Sequence, residues 1–165
     1  MRKWLAAAPA LLTAALLTSG RPAAPEPRDE PHRSPTDLAL LPDGRRAVTA
    51  NHTSDSASLV DLVAGKVLAE ADCGRKPAAV AASRDGRRAA VANLWAGSVS
   101  LFDVGDDSLK PAGEAKVGGF PRGLAFAPDG DRLYAVVGCA DEVVEINWKT
   151  AAAAHRWTAP HDPQA

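Results

Sequence analysis

From about residue 34 onward the chain is a succession of short apolar runs, each closed by turn-forming residues. Leu38-Ala39-Leu40 runs into Pro42-Asp43-Gly44, then Val48-Thr49-Ala50-Asn51 into a polar loop, then Ala57-Ser58-Leu59-Val60 into Asp61. A more polar run closes the group near Lys66 to Asp72. Runs of about four to eight residues bounded by Gly, Pro, Asp and Asn predict strands, because helices need longer periodic segments.

The same order recurs twice more. Val80-Ala81-Ala82, Ala90-Val91-Ala92-Asn93, Val99-Ser100-Leu101-Phe102-Asp103 and Lys110 to Val117 form the second unit. Leu124-Ala125-Phe126, Tyr134-Ala135-Val136-Val137, Val143-Val144-Glu145-Ile146-Asn147 and Ala152 to Thr158 form the third. Three Asp-Gly pairs, at Asp43, Asp85 and Asp129, are spaced 42 and 44 residues apart. Pro35, Pro77 and Pro121 each stand eight residues before their aspartate. The Asp-Gly pair predicts a tight hairpin, with Gly supplying the positive φ. Four short antiparallel strands at this period describe one propeller blade. The expected fold is therefore all-β, a partial β-propeller of about three four-stranded blades. The alanine run Ala151–Ala154 favours helix by propensity, but its place in the period assigns it to an outer strand.

Pro121-Arg122-Gly123-Leu124-Ala125-Phe126-Ala127-Pro128-Asp129-Gly130 gives the motif most completely. Asn51 and Asn93 keep the Asn that ends the second strand, and Tyr134 keeps the Tyr that begins it. In this the units, over about residues 34 to 158, resemble the YVTN-type β-propeller repeat family of exported, surface-layer-like bacterial proteins. The resemblance implies a propeller outside the cytoplasm and says little about activity.

The units divide the chain into blade repeats at residues 34–74, 75–119 and 120–158. Residues 159–165 repeat the inter-unit joint, with Pro163 one period after Pro121, and read as the start of a fourth unit. The expectation is a fragment of a longer propeller. Before the repeats, Arg2 and Lys3 precede a 14-residue apolar run from Trp4 to Leu17 and the small residues Thr18, Ser19 and Gly20. This is the grammar of a signal peptide over residues 1–20, too short for a membrane span. A Pro-rich leader over residues 21–33 follows. The expected location is the periplasm or the extracellular space, with no stable membrane insertion after cleavage.

Charge and cysteine content narrow the partners. The formal net charge is -1, with Arg and Lys scattered, so no nucleic acid is expected as a partner. Cys73 and Cys139 occupy different places in non-adjacent units, which favours two separate thiols over a disulfide. The four histidines, His32, His52, His155 and His161, lack metal-ligand spacing, and no Cys-x-x-Cys-His occurs. No metal or other cofactor is expected. Asp61 and Asp103, repeated at one place in the unit, read as turn caps. Asn51-His52-Thr53 fits the N-glycosylation pattern, but Asn93 holds the same place without it, so Asn51 reads as structural. No serine lies in a nucleophile-elbow context, and no catalytic residue is expected.

Two residues stand out as candidate binding positions. Trp95 replaces a polar residue in the loop after the second strand of unit two, and Arg122 begins the inner strand of unit three. Exposed Trp and Arg are common interface anchors. The alternatives are that Trp95 packs between blades and that Arg122 pairs with a carboxylate. The leading expectation is a non-enzymatic scaffold for an unidentified protein or small ligand, with self-association through open blade edges. Two others are kept: the N-terminal propeller portion of an exported cytochrome-type redox enzyme, and a lactonase-like propeller hydrolase.

Overall fold

The computed structural model describes residues 32–159. The signal peptide, most of the leader and the start of a fourth unit lie outside the described residues. Blade 1 comprises β1 (Pro35–Leu40), β2 (Arg46–Asn51), β3 (Ser56–Asp61) and β4 (Lys66–Asp72). Blade 2 comprises β5 (Pro77–Ala82), β6 (Arg88–Asn93), β7 (Ser98–Val104) and β8 (Leu109–Lys116). Blade 3 comprises β9 (Pro121–Phe126), β10 (Arg132–Val137), β11 (Glu142–Asn147) and β12 (Ala152–Thr158). Each blade is one four-stranded antiparallel sheet in sequence order. The described residues form the all-β partial propeller that the periodicity predicts. Ala152, Ala153 and Ala154 pair in β12, so the sheet ladder overrides alanine's helix propensity.

The Asp-Gly turns differ in detail from a two-residue hairpin. Gly44 N donates to Leu41 O at 3.0 Å, Gly86 N to Ser83 O at 2.9 Å and Gly130 N to Ala127 O at 2.9 Å. Asp therefore sits third in a four-residue turn, and the positive φ belongs to the Gly that follows it, at 65°, 71° and 73°. This is a turn closed by a left-handed glycine. The aspartate carboxylate caps it: Asp43 Oδ1 accepts the amides of Arg45 and Arg46 at 2.8 and 3.0 Å. These bonds and the Arg46 guanidinium hold the Asp43 carboxyl down at about 2.

Apolar cores lie between blades. Val48, Ala50, Ala57 and Leu59 of blade 1 pack on Val80, Ala89, Val91 and Phe102 of blade 2. Ala90, Val99, Leu101 and Ala115 on the other face of blade 2 pack on Leu133, Ala135, Val144 and Ile146 of blade 3. Strand alternation explains this: odd and even positions of β6 and β7 serve opposite neighbours. Arginines bridge the same interfaces at the turn end. Arg46 Nη1 donates to Gly105 O at 2.7 Å, and Arg88 Nη1 donates to Gly130 O at 2.6 Å and to Asp131 Oδ1 at 2.8 Å. The Arg88 guanidinium also lies 5.2 Å from the Trp148 ring centroid.

Candidate functional site

In each blade the antiparallel order brings the second hairpin, the crossing to the next blade and the start of the inner strand to one end. At this connector end the residue before each repeat proline is left-handed: Ser34 at φ 46°, Lys76 at 55° and Phe120 at 59°. None is glycine, and an L-residue there costs about 1–2 kcal/mol. Surrounding bonds fix it. The Lys76 amide donates to Asp55 Oδ1 at 2.8 Å, and its ammonium reaches the His52 carbonyl at 3.4 Å.

His52 is half-buried beside that lysine. Its Nδ1 lies 3.1 Å from the Pro77 carbonyl oxygen. A carbonyl only accepts, so a hydrogen sits on Nδ1, and Nε2 is the ring nitrogen left for another partner. Thr36 Oγ1 donates to the same carbonyl at 3.2 Å, and the Val80 amide donates to Asp37 Oδ2 at 2.9 Å, tying the inner strands of blades 1 and 2 together.

Trp95 lies in the β6–β7 hairpin and is 58% exposed. Its amide donates to the Arg75 carbonyl at 3.2 Å, and the Arg75 guanidinium stands 5.7 Å from its ring centroid. The ring is thus an outward platform with a cation at its face. Arg122, the second residue of β9, is exposed, and its side chain passes over Gly138, where an added Cβ would come 3.4 Å from Arg122 Cδ. Its guanidinium takes no hydrogen-bond or ion-pair partner among the described residues. Trp95 and Arg122 share the connector end of neighbouring blades without a bond between them. Arg75, Lys76 and His52 join them at this end. From the sequence Arg75 and Lys76 carry no assigned role, and His52 is weighed only as a metal ligand and within the Asn51-His52-Thr53 pattern.

Beneath the connector end lies a buried polar network. Asn51 Nδ2 donates to Ser56 and Ser58 hydroxyls at 3.1 and 2.8 Å, and Asn93 Nδ2 to Ser98 and Ser100 at 3.1 and 2.9 Å. Asn51 is therefore structural, as its repetition suggests. Gly74 must be glycine for packing: an added Cβ would stand 2.7 Å from Asn93 Nδ2. Both cysteines are free. Cys139 is exposed, whereas burial, the Asp72 charge and that of Asp55 outweigh a Ser100 hydrogen bond and push the Cys73 thiol up to about 12. Cys73 is therefore inert as a nucleophile at neutral pH.

Three stacked four-stranded blades and a loop-built end define a β-propeller protein. Residues 63–152 match the family described as lactonase, 7-bladed β-propeller. The chain belongs to that family. No curated protein sequence matches it significantly. Among solved structures it is similar to a hydrazine synthase from Kuenenia stuttgartiensis, at 26% identity and TM-score 0.71 over 87% of this chain and 41% of that one. It is also similar to a protein from Bacteroides fragilis provisionally named a 6-phosphogluconolactonase, at 18% identity and TM-score 0.64 over 72% of this chain and 36% of that one. A functionally unknown protein from Desulfotomaculum acetoxidans follows, at 16% identity and TM-score 0.63 over 74% of this chain and 42% of that one. The chain spans about two fifths of the length of these structures.

The family match corrects one expectation directly. The sequence reading expected no enzyme, and membership of a lactonase family points instead to a hydrolase. The reason is geometric. A propeller site is assembled from single side chains on loops of successive blades, so no local motif announces it. The family found is also a broader propeller family than the YVTN-type repeats.

Proposed function

We propose that this chain contributes to a hydrolase that opens a lactone ring, with its chemistry at the connector end of the blades. The observation carrying this reading is the lactonase family match over residues 63–152. The exported YVTN-type repeats are the finer kinship proposed within it, with the periplasm or the extracellular space as the location. In this reading the free Nε2 of His52 removes a proton from water as the oxygen attacks the lactone carbonyl carbon. The ring carbon–oxygen bond breaks, the leaving alkoxide takes that proton back, and the carboxylic acid formed gives up the second proton of the water to solvent. The Lys76 ammonium and the Arg122 guanidinium stabilise negative charge on the carbonyl oxygen and then on the carboxylate product. Trp95 offers its face to the apolar side of a sugar-derived ring.

The provisional 6-phosphogluconolactonase among the similar structures makes sugar-acid lactones the first substrates to try. The experiment is proton release from δ-gluconolactone and its 6-phosphate, measured above the spontaneous rate. His52→Gln is expected to lower kcat by about 10²- to 10⁴-fold, and Arg122→Ala to raise KM. Activity unchanged in both variants would sink the assignment of this end. A second reading rests on the hydrazine synthase likeness: a propeller portion of an exported redox enzyme.

A further inference from the structure

The two interfaces between neighbouring blades use the same positions and put different residues at them. The Val104 amide donates to the Arg87 carbonyl at 2.8 Å, and the Trp148 amide to the Asp131 carbonyl at 2.9 Å. Arg46 pairs with Asp61 in blade 1 as Arg88 pairs with Asp103 in blade 2. Val104 is thus the counterpart of Trp148, Arg87 of Asp131 and Arg46 of Arg88. Between blades 2 and 3, Arg88 lays its guanidinium over Trp148 and bonds Asp131 Oδ1. Trp148 is 8% exposed, and its ring stands 5.7 Å from that of Phe126 between centroids. Between blades 1 and 2 the same places hold Val104 for Trp148, Ala82 for Phe126 and Arg87 for Asp131. Two aromatic rings and a carboxylate are exchanged for two small aliphatic side chains and a cation.

A cavity of about 510 Å³ opens at this place, at the turn end of the blades. Leu41, Pro42 and Arg46 of blade 1 line it, with Asp85, Arg87 and Val104 of blade 2. Phe102 is buried between the same blades but does not reach the cavity wall. Arg46 is anchored through its edge. Its Nε donates to Asp43 Oδ2 at 2.7 Å, and its Nη1 donates to the Gly105 and Asp106 carbonyls at 2.7 and 3.0 Å. Guanidinium N–H groups point outward in the plane of the group, so these bonds leave its faces unused. The two carbonyls come from the β7–β8 loop. It spans residues 104–109 between the paired Asp103 and Lys110, longer than residues 148–151 between Asn147 and Ala152. The longer loop thus gives Arg46 the acceptors that Asp131 and Gly130 give Arg88, and supplies no ring.

The neighbouring interface shows what such an arginine takes on its face, an indole. We propose that the cavity between blades 1 and 2 binds a planar aromatic ring with an N–H donor, of the indole type, stacked on the Arg46 guanidinium. The other charges on the wall set the polarity of the ligand. Asp43 is paired with Arg46, which leaves Asp85, Asp103 and Asp106 against Arg87. These carboxylates accept a ring N–H and disfavour an aromatic acid. A small free molecule and the tryptophan side chain of a peptide present the same ring, and the test separates them. The cavity lies at the opposite end of the blades from His52, Lys76 and Trp95. The proposal therefore goes beyond the lactonase reading and does not depend on it.

Titration of the isotope-labelled full chain with indole, followed by NMR at the Gly86 and Gly105 amides of the cavity wall, tests this. Both amides are expected to show saturable ring-current shifts, with a Kd of about 1 mM, as suits a ligand of so few atoms. N-acetyltryptophanamide is the second probe. Saturation by both probes assigns the cavity to a tryptophan side chain, and saturation by indole alone assigns it to a free ring. Val104→Trp supplies the ring from within the chain, as Trp148 does, and is expected to abolish the indole shifts while raising the urea midpoint. Arg46→Lys keeps the charge without the planar face and is expected to weaken indole binding about threefold or more. Amides that indole leaves unmoved would overturn the proposal, and so would a folded Val104→Trp chain that binds indole as the wild type does. Should Val104→Trp fail to fold, Arg46→Lys decides, and an unchanged Kd there overturns the stacking.

Discussion

Blades 1 and 2 are built alike, and blade 3 departs from them on both faces. In the first two, a buried Asn joins two serines, and the first serine of each pair faces a glutamate: Ser56 Oγ donates to Glu70 at 2.6 Å, while Lys116 and then Ser98 hold the Glu114 carboxyl below its ordinary value. In blade 3 the same places hold Val137, Glu142, Val144 and Arg156. Arg156 bonds Glu142 at 2.8 Å and the Val117 carbonyl of blade 2 at 2.9 Å. A network of Asn, Ser and a glutamate paired with Arg33 or Lys116 has been exchanged for apolar side chains and one Arg–Glu bridge. One backbone geometry therefore tolerates either solution, and it does so even though Asn93 Oδ1 is buried without a partner.

The sharpest way to break the comparison is at the cross-strand row that differs most, Ala90, Leu101 and Gly113 in blade 2 against Tyr134, Glu145 and His155 in blade 3. Leu101→Ala removes a fully buried side chain between blades 2 and 3 and is expected to cost about 2–5 kcal/mol. Glu145→Ala, at the equivalent place on blade 3, is expected to cost less than about 1 kcal/mol. Urea unfolding of both variants measures the difference, and equal losses would mean that this face of blade 3 is as integral as the one between blades 2 and 3.

A smaller effect compares blades 1 and 2 with each other. Thr49 Oγ1 donates to Asn51 Oδ1 at 3.0 Å, whereas Val91 stands in the matching position and leaves Asn93 Oδ1 buried without a partner. Thr49→Val is expected to cost about 1 kcal/mol, and Val91→Thr to recover a similar amount in blade 2. Should Val91→Thr prove as destabilising as Thr49→Val, Asn93 would already be satisfied by a buried water.

The smallest effect per residue is the acid response of the turns. Asp43, Asp85 and Asp129 all have carboxyls held below their ordinary value, by backbone hydrogen bonds to Arg45, by the Ser83 hydroxyl and by Arg132 respectively. A depressed folded value means that the stabilisation is present above the unfolded value near 3.8. It is lost as pH falls toward about 2, the value reached by Asp43. Circular dichroism between pH 5 and 2 should show this loss, and Asp43→Asn should remove its share. A loss centred above pH 5 would have to come from other groups.

Much of the fold was legible because its determinants are periodic and local. The eight-residue interval from Pro35 to Asp43 recurs because strand, turn and strand have fixed lengths. The left-handed Lys76 was not legible, because nothing in a lysine's chemistry announces a positive φ. The hydrogen on His52 Nδ1 depends on the Pro77 carbonyl, which belongs to the next blade. The polar face of blade 3 was readable in principle, since Tyr134, Glu145 and His155 break the apolar rule of their rows. Recognising it requires the cross-strand register, which β-bulges shift by one residue in the outer strands.

The left-handed residues before the repeat prolines have an evolutionary consequence. Ser34, Lys76 and Phe120 each hold a conformation that glycine adopts freely. Substituting glycine at any of them would relax the backbone while erasing a side chain from the rim of the connector end. These are positions where drift toward stability and retention of a working surface pull in opposite directions. A lineage that lost its ligand would accumulate glycine there first.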